Sequence, residues 1–163
     1  LATTTVAWEE AAERLSGLGL RVAKVRTGLV LGAEGGALAK MLPPFRLGLG
    51  GPLGSGTQWM SWIHRDDLAD LLVFALENPN VRGVVNGTAP NPRTMREFAK
   101  ALGRALRRPV LAPPVPAFVL KALLGEMSTL LLDGQRVLPR RAQELGFRFR
   151  FPELDGALAD LVG

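Results

Sequence analysis

Apolar residues recur along this chain with two periods, and the switches between them mark helices and strands. Over residues 5–16, Ala12 and Leu15 fall to one side and Glu9, Glu10, Glu13 and Arg14 to the other, which predicts an amphipathic helix closed by Gly17 and Gly19. Residues 20–31 follow with Leu20, Val22, Val25, Leu29, Val30 and Leu31, a β-rich run. Helix, short glycine turn and strand make a βαβ fragment of a mostly parallel sheet, whose strands need neighbours on both sides. A short helix is predicted over 35–41, stopped by Pro43-Pro44. Leu68, Leu71, Leu72, Ala75 and Leu76 predict another running to about Glu77, with Asp66 or Asp67 as its N-cap.

Residues 83–88 read as a buried strand with Ala89-Pro90-Asn91-Pro92 as its exit loop. Thr94-x-x-Glu97 is a capping-box pattern opening a helix to Leu106, with Phe98, Ala99, Leu102 and Leu106 inward. Beyond a short strand at 110–112 the pattern turns helical: runs at 115–124 and 126–132, a short helix started by Pro139 and closed by Gly146, and a terminal helix opened by Pro152. The expected architecture is α/β, the C-terminal part of a Rossmann-type parallel sheet with a small, mostly helical C-terminal lobe. Residues 1–92 would be the core, including a substrate-side loop at 43–64, and residues 93–163 the lobe.

Composition narrows this picture. The chain has 163 residues, 47% of them hydrophobic and 21% charged, which suits a domain with a real core and excludes disorder. It has no cysteine and one histidine, so a disulfide framework, a thiol nucleophile and a Cys or His metal cluster are all excluded, and no metal is expected. The apolar run at 115–132 is broken by Lys121, Gly125 and Glu126, so no membrane span or export segment is read and a cytoplasmic setting is expected. Thirteen of the twenty cations lie in residues 82–150 against four acids. Such asymmetry suits an anionic partner, but arginine is also an ordinary solvated helix residue, and nucleic acid is not the favoured partner.

Three groups carry candidate chemistry. The glycine-rich stretch 48–56 invites a phosphate-loop reading, but a proline pair precedes it and an aromatic run follows, where a dinucleotide loop needs a strand before and a helix after; it reads as a mobile surface loop. Arg26, Thr27, Gly28, Leu29 and Val30 end a strand at the carboxyl edge of the sheet, where open α/β sheets bind ligands. For Gly28 the alternatives of cofactor contact and close packing both stand. Arg26 stands out because a buried cation needs an anionic partner. His64 is either a hydrogen-bonded packing residue or a catalyst, and the adjacent Asp66 and Asp67 suit helix capping better than paired acid–base work. Glu126, between two apolar runs, is expected in an ion pair with an arginine.

Ser61-Trp62-Ile63-His64-Arg65-Asp66-Asp67, 35 residues after Arg26-Thr27-Gly28-Leu29-Val30-Leu31-Gly32, resembles the strand–WIHxDD–helix passage of the extended short-chain dehydrogenase/reductases, the NAD(P)-dependent epimerase and dehydratase family. Asn86-Gly87-Thr88-Ala89-Pro90-Asn91-Pro92, Gly125-Glu126-Met127 and Gln135-Arg136-Val137-Leu138-Pro139 extend the likeness to an unassigned epimerase-like subgroup with a small C-terminal domain, some of whose members bear a "cell division inhibitor" label that no residue here explains. The chain resembles the C-terminal half of that family. The resemblance implies NADP or NAD, with NADP slightly favoured, held mostly by the other half and met here by residues 26–30. It also implies a small-molecule substrate, shaped by Gln58, Trp59, Met60, His64 and Arg93, and a possible homodimer. Counting back from Glu9 puts Thr5 and Leu1 where the family carries its catalytic Lys and Tyr, and the chain has no tyrosine. Met60 stands where nucleotide-sugar enzymes often carry an arginine for the diphosphate. The resemblance thus implies an epimerase-like or oxidoreductase-like protein of unknown substrate, with a non-catalytic sensor on the same scaffold as the alternative.

Overall fold

Two parallel strand pairs meet at Gly28. The computed structural model describes residues 2–110, 112–114 and 134–163. In chain order it runs α1 (Ala2–Gly17), β1 (Ala23–Thr27), β2 (Leu29–Leu31), α2 (Gly36–Arg46), β3 (Trp59–Met60), β4 (Trp62–His64) and α3 (Arg65–Glu77). It continues with β5 (Gly83–Gly87), β6 (Arg93–Thr94), α4 (Met95–Ala105), α5 (Arg140–Glu144) and α6 (Leu154–Val162). β1 pairs in parallel with β5, Ala23 opposite Gly83 and Thr27 opposite Gly87. β2 pairs in parallel with β4, and β3 with β6 as a short antiparallel ribbon. The expected parallel α/β architecture is therefore present.

Two apolar clusters hold these elements. The larger runs from Leu31, Leu38 and Phe45 through Trp62 and Phe98 to Leu158, so segments on both sides of residue 92 share one core. The smaller joins Leu71, Val81 and Val85 to Ala142 and Phe147, with Phe147 edge-on to Phe149 at 4.8 Å. Arg21 closes the end of α3 by donating to the carbonyls of Ala75 and Leu76, acceptors that the end of a helix leaves unmatched, and to that of Val81 in the loop beyond.

Several local expectations change. α1 forms, but Leu15 does not reach a core: it is exposed, as are Val6 and Trp8, the last 70% so. Helix α2 runs through Pro43 and Pro44 instead of stopping before them. A proline lacks a donor but keeps its acceptor; Leu47 and Leu49 donate to the two proline carbonyls at 3.2 and 2.9 Å, while buried Met41, Leu42 and Phe45 fix the helix to the core. The glycine-rich stretch is not wholly at the surface, because Gly50, Gly51 and Pro52 are buried while Leu49 and Ser55 are exposed. A Cβ on Gly51 would lie 2.9 Å from the carbonyl oxygens of both Ala112 and Pro113. The cap of α3 is His64, neither aspartate. Val110 and Ala112 belong to no strand, while Leu1, the runs at 115–124 and 126–132, and Glu126 lie outside the described residues.

The capping box forms as read: the Thr94 hydroxyl accepts from the Glu97 N–H, and the Glu97 carboxylate accepts from the Thr94 N–H at 2.8 Å. That N–H, then the Thr94 hydroxyl, hold the Glu97 carboxyl below its usual pKa of 4.5. The cap therefore contributes fully above the ordinary carboxylate range and fades as pH falls through the lowered value. Thr94→Ala should cost about 1 kcal/mol in urea unfolding at neutral pH and less in acid; an equal cost at both would contradict this cap.

Candidate functional site

The carboxyl edge of the β1–β5 pair is set by one glycine. The Gly28 N–H donates to the Gly87 carbonyl at 3.0 Å and the Leu29 N–H to the Ser61 carbonyl at 2.8 Å, which steers the chain from one strand pair into the other. A Cβ on Gly28 would overlap the Ser61 carbonyl and sit 2.8 Å from Thr88 Cγ2, so close packing alone requires glycine here. Arg26 and Thr27, the last residues of β1, are exposed at this edge, while Leu29 and Val30 are half-buried.

Arg26 is not the buried cation expected. Its side chain is 60% exposed, and it grips Glu9 of α1 through two bonds of 2.6 and 2.7 Å. The spacing that draws attention to Glu9 in the sequence thus marks an ion pair between α1 and β1. Arg26 holds the Glu9 carboxyl below its usual pKa, and Glu9 raises that of Arg26. Lys24 pairs with Glu13 one turn along, so α1 is tethered to β1 by charge while its apolar residues stay in solvent.

Of the residues expected on the substrate side, Trp59 stands at the surface and the others are engaged in the framework. Gln58 donates to the Leu53 carbonyl at 2.9 Å, bracing the loop before β3. Met60 is buried in the larger cluster. Arg93 on β6 reaches the Glu153 carboxylate at 3.3 Å. The structure adds an extended segment, 134–138, that the sequence pattern does not single out as a site. It crosses the carboxyl edge, with Asn86 donating to the Leu138 carbonyl and Thr88 to that of Val137. The Ser61 hydroxyl donates to the Gln135 carbonyl at 2.6 Å and accepts from the Val137 N–H at 2.9 Å. Arg136, between them, lays its guanidinium over the Trp59 ring at 5.2 Å.

His64 and the aspartates form a clasp that holds residues 150, 151 and 160. The Asp66 N–H donates to His64 Nδ1 at 3.1 Å, so in the neutral ring the proton is on Nε2, which faces the Asp160 carboxylate at 3.2 Å, off the line of a good hydrogen bond. The ring is fully buried and stacks on Phe151 at 3.9 Å. Asp67, also fully buried, accepts from the backbone N–H groups of Arg150 and Phe151 at 2.7 and 3.0 Å. Asp70 holds the Arg150 side chain at 2.9 Å. His64 and Asp67 point into packing, and the described residues contain no cluster of three or more potential metal ligands. Apart from this edge, an open hollow of about 470 Å³ at the end of α4 is lined by Lys100, Arg104, Arg107 and Arg108, part of the charge asymmetry in the sequence.

The profile of the NAD dependent epimerase/dehydratase family matches residues 2–86, the stretch that builds both parallel pairs. The chain belongs to that family. A second profile, a domain of unknown function (DUF1731), matches residues 115–161. The chain is 54% identical over 154 residues to the epimerase family protein SDR39U1 of Mus musculus, covering 94% of itself and 52% of that protein. It is 43% identical over 162 residues to the epimerase family protein YfhF of Bacillus subtilis, covering 99% and 53%. A crystal structure of human SDR39U1 (isoform 2) with NADPH superposes with a TM-score of 0.83 at 49% identity, over 87% of this chain and 48% of that one. The chain thus spans about half the length of these relatives. No helix among the described residues is long and apolar enough to cross a membrane.

The buried clasp has a measurable weight. Asp67→Ala leaves two part-buried backbone donors unmatched and should destabilise by about 2 kcal/mol in urea unfolding, whereas Asp66→Ala, at a half-buried position with only side-chain ion pairs, should cost at most about 0.5 kcal/mol. Equal effects would contradict the assignment of Asp67 as the clasp.

Proposed function

We propose that this chain is the substrate-side half of an NAD(P)H-binding, epimerase-like protein, NADP preferred, in which the edge at residues 26–30 meets the cofactor and the loop before β4 faces a small-molecule substrate. The observation that carries this reading is the exposed carboxyl end of β1: Arg26 and Thr27 stand in solvent at the edge where α/β sheets take ligands. The fit to a dinucleotide is that of half a cradle, since the described residues offer an edge and no glycine-rich loop opening a helix. NADPH named with the human relative supports the choice of cofactor. When bound, the cofactor supplies hydride transfer. This chain's own residues would orient it through 26–30 and shield the reacting end with the segment at 134–138. A cytoplasmic setting belongs to the same proposal, although one relative, from Arabidopsis thaliana, is named chloroplastic.

Thr5 at the expected lysine position of α1 motivates the second reading, a sensor that binds NADPH without turnover. Full-length protein should enhance and shift NADPH fluorescence at micromolar concentration, and Arg26→Ala should weaken that binding several-fold. Absence of NADPH binding contradicts the cofactor proposal. Binding without oxidation across a panel of aldehydes and ketones selects the sensor.

A further inference from the structure

The chemistry of residues 134–138 is unassigned, yet this segment is built with more care than a surface connection needs. Its entry passes so close to β3 that a Cβ on Gly134 would overlap the Trp59 carbonyl oxygen. Farther on, one hydroxyl, that of Ser61, binds both peptide groups flanking a single residue, accepting from the Val137 N–H and donating to the Gln135 carbonyl. Asn86 and Thr88 fix the next two carbonyls. The residue centred in this clamp is Arg136.

Its guanidinium lies over the Trp59 indole, itself 36% exposed, and among the described residues no carboxylate pairs with it. This sets it apart from Arg26, Arg65, Arg93, Arg104 and Arg150, each of which has an acid partner. An aromatic face under a guanidinium leaves its in-plane donors pointing outward, and those donors match the two oxygens of a carboxylate or phosphate. A backbone fixed on both sides removes much of the ordering cost that an exposed arginine otherwise carries into binding.

We propose that Arg136, seated on Trp59 and positioned by Ser61, recognises an anionic group, carboxylate or phosphate, on the substrate. This rests on the reading of the adjacent edge as the cofactor and substrate site. Arg136 is the contacting residue; Ser61 acts through it.

The test uses full-length protein with malonate and inorganic phosphate as separate probes, read by tryptophan fluorescence, and NADPH binding measured on the same samples. At least one anion should give a saturable change that disappears in Trp59→Phe. Its affinity should fall about tenfold or more in Arg136→Gln and recover in part in Arg136→Lys, and Ser61→Ala should weaken it several-fold, each loss larger than any change in NADPH affinity measured on the same sample. Which probe saturates tells carboxylate from phosphate. Arg136→Gln binding anions like the wild type, or neither anion binding while NADPH does, overturns the proposal. Loss of NADPH binding in every sample overturns the cofactor reading instead, and the anion titrations still decide the role of Arg136.

Discussion

β1 is a parallel strand hydrogen-bonded along one edge only, and most of the molecule's unusual surface follows from that. Among the described residues its sole strand partner is β5. Parallel strands are ordinarily buried between neighbours and covered on both faces, so the other edge of β1 is a row of donors and acceptors without a matching strand. The helix before it shows the same incompleteness: α1 exposes Val6, Trp8 and Leu15, and α3 exposes Leu72, Val73 and Leu76 on the side away from Leu71 and Ala75. Apolar residues at this density on two helices flanking one open strand mark a surface meant to be covered. Relatives about twice this chain's length provide a simple source for that cover.

The contacts around β4 and the start of α3 are, by contrast, finished in detail. His64, Asp67 and Asp70 bind residues 150, 151 and 160, and Trp62 donates to the Asn91 carbonyl at 3.2 Å. The WIHRDD segment therefore serves as a joint: a strand, a helix cap and a buried carboxylate arranged so that the chain's last segment locks onto the strands at the candidate site. Residues 134–138 reach the carboxyl edge through Ser61, Asn86 and Thr88, which brings Arg136 beside Trp59.

What the sequence discloses follows the range of each interaction. The Thr94–Glu97 box is local, closed within one helical turn, and its letters are sufficient. The parallel pairing is legible because β-rich runs alternate with helical ones, and the carboxyl edge is legible because Gly28 interrupts such a run. The role of Asp67 is not, since its donors lie 83 and 84 residues away and an aspartate at a helix start looks like a cap. The clamp on Arg136 spans 74 and 76 residues and rests on a serine no pattern distinguishes. Arg26 reads in the sequence as a buried cation in need of an anionic partner; here it is exposed, and Glu9 supplies the partner. Pro43 and Pro44 show the remaining kind of gap, a local breaker overruled by the burial of Met41, Leu42 and Phe45 around it.

The central claim is that this chain is one side of a larger cofactor-binding sheet. Amide hydrogen exchange at residues 23–27 and along α1, compared between this chain alone and the full-length protein, tests it most directly. The account predicts fast exchange along α1 and at the β1 amides that face away from β5 in the isolated chain, and protection of those same amides greater by orders of magnitude in the full-length protein. Equal protection in the two would mean that β1 already has its complement, and would contradict it.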